Sequence, residues 1–333
     1  MQRRFIRGAR PLAGRLLQGQ AVLAAAIVAV VVFSVMSSNF LTGGNVTVIL
    51  LSVAVIGMIA VPGAMLLVSG NVDFAVGSIA VLSSTVFGQL AGPGHVPIGL
   101  AAVAALFCGA LWGALTGTLV TKFKFSPMVV TLGGFGAGYG IAEVISQGQS
   151  IISFSAAFNW LGNGQIAGVP VPVVIFLLTF AGGFYVWYLT PFGRHMTAMG
   201  ADQVAGHSLG LHVNRLPFSL YVWSGLLAAL GGLIETSQLG ATSLSIGTNL
   251  NIEVLSAILI GGVAWSGGRG SLWGVLWGVL FIGVIDNGLV VTNISPYASD
   301  IAVGLALVAA AGADVLYRRL EAVRAQMLAP GEG

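Results

Sequence analysis

Ten times between residues 20 and 316 the chain stays apolar for about the twenty residues a helix needs to cross a bilayer core. Measured that way, the spans fall near 20–38, 46–69, 73–91, 97–121, 128–146, 169–189, 217–236, 251–266, 271–290 and 298–316. An all-α membrane protein is the fold class this predicts. Only 7% of the residues are charged, against the roughly 25% of soluble domains, so most of the surface must face lipid. The 49 glycines agree, because small residues let spanning helices approach closely where lipid gives them no hydrophobic reason to associate.

The positions of the cations test the count. With the N-terminus inside, alternate loops face the cytoplasm. These loops carry Lys122 and Lys124, then Arg194 and Arg215, then Arg269, and the tail adds Arg318, Arg319 and Arg324. With the five arginines before residue 16, all 13 Lys and Arg residues lie inside, as the positive-inside rule asks. The organisation this predicts is a basic cytoplasmic leader (1–19), read as retained rather than cleaved, and one transmembrane domain (20–316) with a cytoplasmic loop at 190–216. A cytoplasmic tail (317–333) completes it. The basic balance therefore serves topology, and nucleic acid is not an expected partner. Lipid is.

Three short matches join the halves. Gly109-Ala-Leu-Trp112-Gly113 returns as Gly274-Val-Leu-Trp277-Gly278. Ser126-Pro127 returns as Ser295-Pro296, and Asn71-Val-Asp73 as Asn249-Leu-Asn251. Each links a span to the one five later. Five is odd, so the pattern predicts two inverted five-helix repeats, an arrangement used by transporters with the solute path near the repeat interface.

Motifs for covalent chemistry are missing. There is no His-Glu-x-x-His helix and no Gly-x-Ser-x-Gly turn, and Cys108 is the single cysteine. Neither lysine follows a Gly-x-x-x-x-Gly phosphate loop, so ATP hydrolysis, if used, belongs to another subunit. An ion-coupled secondary carrier with inverted repeats is the alternative. Its ionisable candidates, Asp73, Glu143, Glu235, Glu253, Asp286 and Asp314, lie towards span ends or in loops, a poor layout for a proton relay.

The segment from Thr190 to Leu216 is the longest inside loop. Asp202 and Gly210 are a plausible start and stop for a short helix within it. On physics alone it is either a solvated connector or a rigid lug for a partner's cleft. Small residues at Gly200, Ala201, Ala205 and Gly206 suit close docking. Asp73 reads as a helix cap or as a contact on a solute path. Asn71, Ser78, Asn249 and Asn251 are polar candidates for that path, with loop turns as the alternative for the asparagines.

Thr190-Pro-Phe-Gly193-Arg194, Ala198-Met-Gly200 and Gly210-Leu211 resemble the coupling segment of ribose-type sugar permeases, the membrane subunits of bacterial ABC importers. Ser69-Gly70-Asn71-Val72-Asp73-Phe-Ala-Val-Gly77-Ser78 is similar to that family's Ser-Gly-Gly-Ile-Asp-Leu-Ser-Val-Gly-Ser. Ile260-Gly261-Gly262 with Gly267-Gly268-Arg-Gly270, and Asn287-Gly288-Leu289, match two further family positions. Asn71 stands where the family has glycine, and Asp202 lies one position off the common Gly-x-Asn-Glu. Asn251-Ile-Glu253 stands where Glu-Leu-Asp is frequent.

The resemblance implies a multi-pass protein of the bacterial inner membrane, both termini cytoplasmic, carrying a small sugar or related polyol. It implies a second permease copy, identical or not, a cytoplasmic ABC ATPase dimer holding ATP and magnesium, and a soluble sugar-binding protein outside. No cofactor is expected on this chain itself. Arg194, Gly200, Ala201, Asp202, Ala205 and Gly210 would form the ATPase-coupling loop, and Asn71, Asp73, Ser78, Asn249 and Asn251 the translocation path or its gate.

Overall fold

The structure is a computed structural model that describes residues 12–92, 94–152, 155–202 and 214–295, with single positions at 298, 301, 304, 305 and 308. Along the chain run α1 (Leu12–Met36), α2 (Gly43–Val68), α3 (Val76–Ala91), α4 (Ile98–Thr121), α5 (Pro127–Ser146) and the short α6 (Ala156–Asn163). A two-residue hairpin follows, β1 (Gln165–Ile166) with β2 (Val169–Pro170). Then come α7 (Val171–Phe184), which continues as a π-helical turn over Tyr185–Leu189, α8 (Pro191–Ala201), α9 (Arg215–Leu239), α10 (Ile246–Ile260) and α11 (Leu272–Val291).

Among the described residues, six helical stretches are long and apolar enough to cross a membrane: α2, α4, α5, α7 with its π turn, α9 and α11. Shorter apolar helices lie at Gln20–Met36, Val76–Ala91 and Asn249–Ile260. Most of the tenth expected span, all of the tail and the first eleven residues fall outside the described residues.

At the centre stands α2. Every residue from Val53 to Val68 except Gly63 is buried, as an all-apolar helix in a bundle core should be. By contrast α4 is two-faced. Leu100, Val103, Phe107, Leu111 and Leu115 point outward, whereas Ala101, Ala105, Gly109 and Gly113 are buried at four-residue spacing. A methyl group on Gly109 would collide with the Gly225 carbonyl, and one on Gly113 with the Tyr221 carbonyl. Large residues face lipid while small ones face α9, the reverse of a soluble helix.

Two helices follow glycine turns. Gly70 ends α2 with φ 83° and Gly240 ends α9 with φ 68°, left-handed conformations that glycine adopts without steric penalty. Non-helical chain then leads to α3 and α10. In each approach a side-chain oxygen accepts the backbone N–H two residues on: Asp73 Oδ1 from Ala75 at 2.9 Å, and Ser243 Oγ from Ser245 at 3.2 Å. The helices start at Val76 and Ile246, and Gly77 and Gly247 meet face to face, each leaving no room for a side chain before the other's carbonyl.

Residue 70 thus holds the same place as 240, 73 as 243 and 77 as 247, at one constant offset. The sequence match of Asn71-Val-Asp73 with Asn249-Leu-Asn251 uses a different offset: 71–73 precede α3, whereas 249–251 lie inside α10, and the Ser295-Pro296 match runs beyond the described residues. Similarly, Gly274 and Gly278 abut α10 at Gly261 and Ala257, and it is Gly283, against Val53 of α2, that mirrors Gly113 against α9. Small residues spaced by one helical turn match each other at more than one offset.

The third and eighth spans differ from expectation. Residues 73–75 lie outside α3, which begins at Val76. The eighth span, expected at 251–266, begins at Ile246 and ends at Ile260, where Gly262 at φ 83° reverses the chain.

Candidate functional site

The approach to α3 is held by α9. Ser224 Oγ donates to Asp73 Oδ2 at 2.7 Å, and the Tyr221 hydroxyl donates to the Val72 carbonyl at 3.0 Å. Tyr221 and Ser224 are both buried and lie three residues apart on one helix face, which is why a single helix can grip consecutive residues. Asp73 caps, but not as expected. Its carboxylate closes a turn before α3, and the N-cap position proper is Ala75, whose side chain makes no capping bond. The free N–H of Gly77 in the first turn is satisfied from the opposite half: it donates to Asn251 Oδ1 of α10 at 2.7 Å.

Asp73 and Asn251 therefore face the same small cleft, whose other walls are Gly63 and Leu67 of α2, Val76, and Val254, Leu255 and Ile258 of α10. It has room for about one water molecule. Two hydrogen-bonding side chains in an otherwise aliphatic cleft between α2, α3 and α10 are suited to hold a hydroxyl weakly and let it go.

The other path candidates lie elsewhere. Asn71 turns back on its own loop, its Nδ2 donating to Ser69 Oγ at 3.1 Å. Ser78 is fully buried beneath Gly138 of α5, its hydroxyl donating to the Ala75 carbonyl at 2.9 Å. Asn249 is exposed on the first turn of α10. Ser224 and Tyr221 were not among the candidates. The readable signal was two hydroxyls three residues apart in a span that also carries Gly225.

The expected coupling loop is helical in its first half. Pro191 at the first position fixes the start of α8, and Asp202 follows its last residue as the C-cap. Ala205, Gly210 and the helix expected between Asp202 and Gly210 lie outside the described residues. Gly193, Met196 and Met199 of α8 are buried, while Arg194, His195, Ala198, Ala201 and Asp202 are exposed. One face is anchored to the bundle and the other is open.

The end of α8 touches the rest of the chain backbone to backbone. Gly200 lies so close to the Val68 carbonyl, the last of α2, that a methyl group there could not be accommodated. The same carbonyl accepts the Gly268 N–H at 2.8 Å. A methyl on Gly267 would lie 3.0 Å from Gly70 and from the Gly200 carbonyl, and one on Gly268 2.7 Å from Ala201 Cα. Segments 68–70, 200–201 and 267–268 thus converge at one point. The smallness of Gly200 serves a contact within the chain, whereas Ala201 stays open to the outside.

Comparison with known proteins follows this geometry. Residues 45–311 match the family described as branched-chain amino acid transport system / permease component. The chain is 33% identical over 300 residues to the fructose import permease protein of Rhizobium meliloti, covering 86% of this chain and 82% of that one. It is 31% identical over 301 residues to the ribose import permease protein of Escherichia coli, covering 89% and 94%. With the D-allose transport system permease protein of Escherichia coli it shares 30% over 294 residues, covering 87% and 89%.

Proposed function

The chain belongs to the branched-chain amino acid transport system / permease component family, and from that premise we propose that it is the membrane-spanning permease subunit of an ATP-driven importer in a bacterial inner membrane. Its cargo is a small sugar or related polyol, the class named for the fructose, ribose and allose relatives. A soluble binding protein delivers the cargo from outside, and a cytoplasmic ATPase dimer, holding ATP with magnesium, drives its passage between two permease copies. Ten spans in two inverted repeats, both termini cytoplasmic, complete the arrangement.

The observation that carries this reading is the placement of α8. A helix with one buried and one open face ends against the loop that leads, within five residues, to Asp73 and the cleft. Closure of the ATPase pushes on the open face at Arg194, Ala198 and Ala201. The push displaces the approach to α3 relative to α10, and the bond from Gly77 to Asn251 is the contact between halves that this movement loads. Asp73 and Asn251 offer hydroxyl partners as the cargo passes.

The test is uptake of radiolabelled sugars into proteoliposomes. With the ATPase inside, the binding protein outside and ATP present, uptake is expected; omitting either partner abolishes it. Uptake by this chain alone, driven by a proton or sodium gradient, would overturn the proposal in favour of an ion-coupled carrier.

A further inference from the structure

We propose that Gly200 and Gly268 are transmission residues: together they clamp the Val68 carbonyl, so that the stroke received by α8 enters both halves of the molecule through one backbone junction. The inference rests on the importer reading above.

Three observations carry it. First, the junction joins elements that the chain order keeps far apart. Val68 ends α2 in the first half, Gly200 ends α8, and Gly268 lies in the turn between α10 and α11 in the second half. Secondly, the contact is made by backbone alone. The Val68 carbonyl receives the Gly268 N–H at 2.8 Å, and Gly200 closes over the same oxygen. Backbone atoms have no rotamers to yield, so displacement of α8 passes on without being absorbed by side-chain rearrangement. Thirdly, the second-half turn is itself braced: Ala264 N–H donates to the Arg269 carbonyl at 2.9 Å and Gly267 N–H to the Ala264 carbonyl at 3.0 Å. A braced turn moves as a body.

The consequence is specific. An α8 that touched only the end of α2 would move the approach to α3 and leave α10 behind. Through Gly268 the same stroke also reaches the cytoplasmic end of α10, the helix that carries Asn251. Both walls of the cleft then receive the stroke at once.

The test sets Gly268 beside glycines that share its backbone conformation but differ in surroundings, and adds the helical Gly200. Gly268 has φ 72°, and a methyl group there meets Ala201. Gly240 and Gly168 have φ 68° and 83°, with nothing within 4 Å of an added methyl. Gly200→Ala, Gly268→Ala, Gly240→Ala and Gly168→Ala are each assembled with the ATPase and binding protein, and sugar taken up per ATP hydrolysed is measured. Working per ATP removes differences in yield. Gly200→Ala and Gly268→Ala are expected to lower that ratio at least about tenfold while ATP hydrolysis continues, and the two controls to stay within about twofold. Adding Ala201→Gly to Gly268→Ala removes one of the atoms the new methyl meets, and should recover part of the loss.

An unchanged ratio in Gly200→Ala and Gly268→Ala would overturn the proposal, as would an equal loss in the Gly240 control, which would assign the effect to backbone strain. Neither result touches the importer reading, which fails only if the wild-type chain does not couple ATP hydrolysis to uptake.

Discussion

The carboxylate of Asp73 accepts one backbone and one hydroxyl hydrogen bond, and what those bonds need is an acceptor rather than a charge. An amide can keep both, with Oδ1 on the Ala75 N–H and Nδ2 donating to a Ser224 hydroxyl that has turned to accept. Asp73→Asn should therefore retain sugar uptake to within about threefold. Asp73→Ala strands both donors in a largely aliphatic setting, at about 1–3 kcal/mol for the groups left unsatisfied. It should lower the melting temperature of the detergent-solubilised protein by several degrees and uptake by at least about tenfold. Ser224→Ala, removing one bond, should fall between them. A loss in Asp73→Asn as deep as in Asp73→Ala, with melting unchanged, would make the charge itself the functional element. Asp73 stood out in the sequence because its motif did. Its partners did not, since Ser224 and Tyr221 acquire meaning only once α9 is seen to run beside the approach to α3.

Among the helices, small residues decide which faces meet. A β-branched side chain on Gly113 would have to displace the backbone of α9 at Tyr221, whereas truncating Phe107 on the outer face of α4 removes only lipid contact. Gly113→Val should abolish a folded, gel-filtration-homogeneous protein. Phe107→Ala should change its stability by no more than about 0.5 kcal/mol. On α8 the same logic separates two faces. Ala198→Trp on the open face should leave the permease folded and weaken its co-purification with the ATPase, while Met196→Asp on the buried face should unfold α8 from the bundle. Retained ATPase binding in Ala198→Trp would place the partner elsewhere. Helix existence was legible from apolar runs, but α8 was not: the helix of this loop was expected to start at Asp202, one residue after α8 ends. Register was not, because glycine at turn spacing fits several offsets equally well. The starts of α3 and α10 were missed as well: the third span was begun at Asp73, inside the non-helical approach, and the eighth at Asn251, five residues into the helix.

For the molecule as a whole, the one-sided cations make a prediction that the arrangement of helices alone does not. Ten spans with the N-terminus inside place the loops at Lys124 and Ala198 in the cytoplasm, and the hairpin between α6 and α7 outside. Ala167 sits at the hairpin tip, where it and Gly168 take φ of 50° and 83°, the doubly left-handed turn of a tight two-residue hairpin. The tip is therefore a fixed and accessible reporter. In a Cys108→Ser background, single cysteines at 124, 167 and 198 can be challenged with a membrane-impermeant maleimide on intact spheroplasts, then on inside-out vesicles. The cysteine at 167 should label only from outside, and those at 124 and 198 only in inverted vesicles. The pairing of residue 70 with 240 makes the same demand by another route. Two halves related by an in-plane two-fold put the Gly70 turn on the cytoplasmic side and the Gly240 turn outside. A cysteine at 241, just past Gly240, should then label with 167, and one at 269 with 124. Labelling of 167 and 198 from the same side would remove one span between them and, with it, the inversion. Labelling of 241 with 269 from the same side would remove the span between them, α10, and with it the inverted arrangement in which Gly77 meets Gly247 at a two-fold crossing.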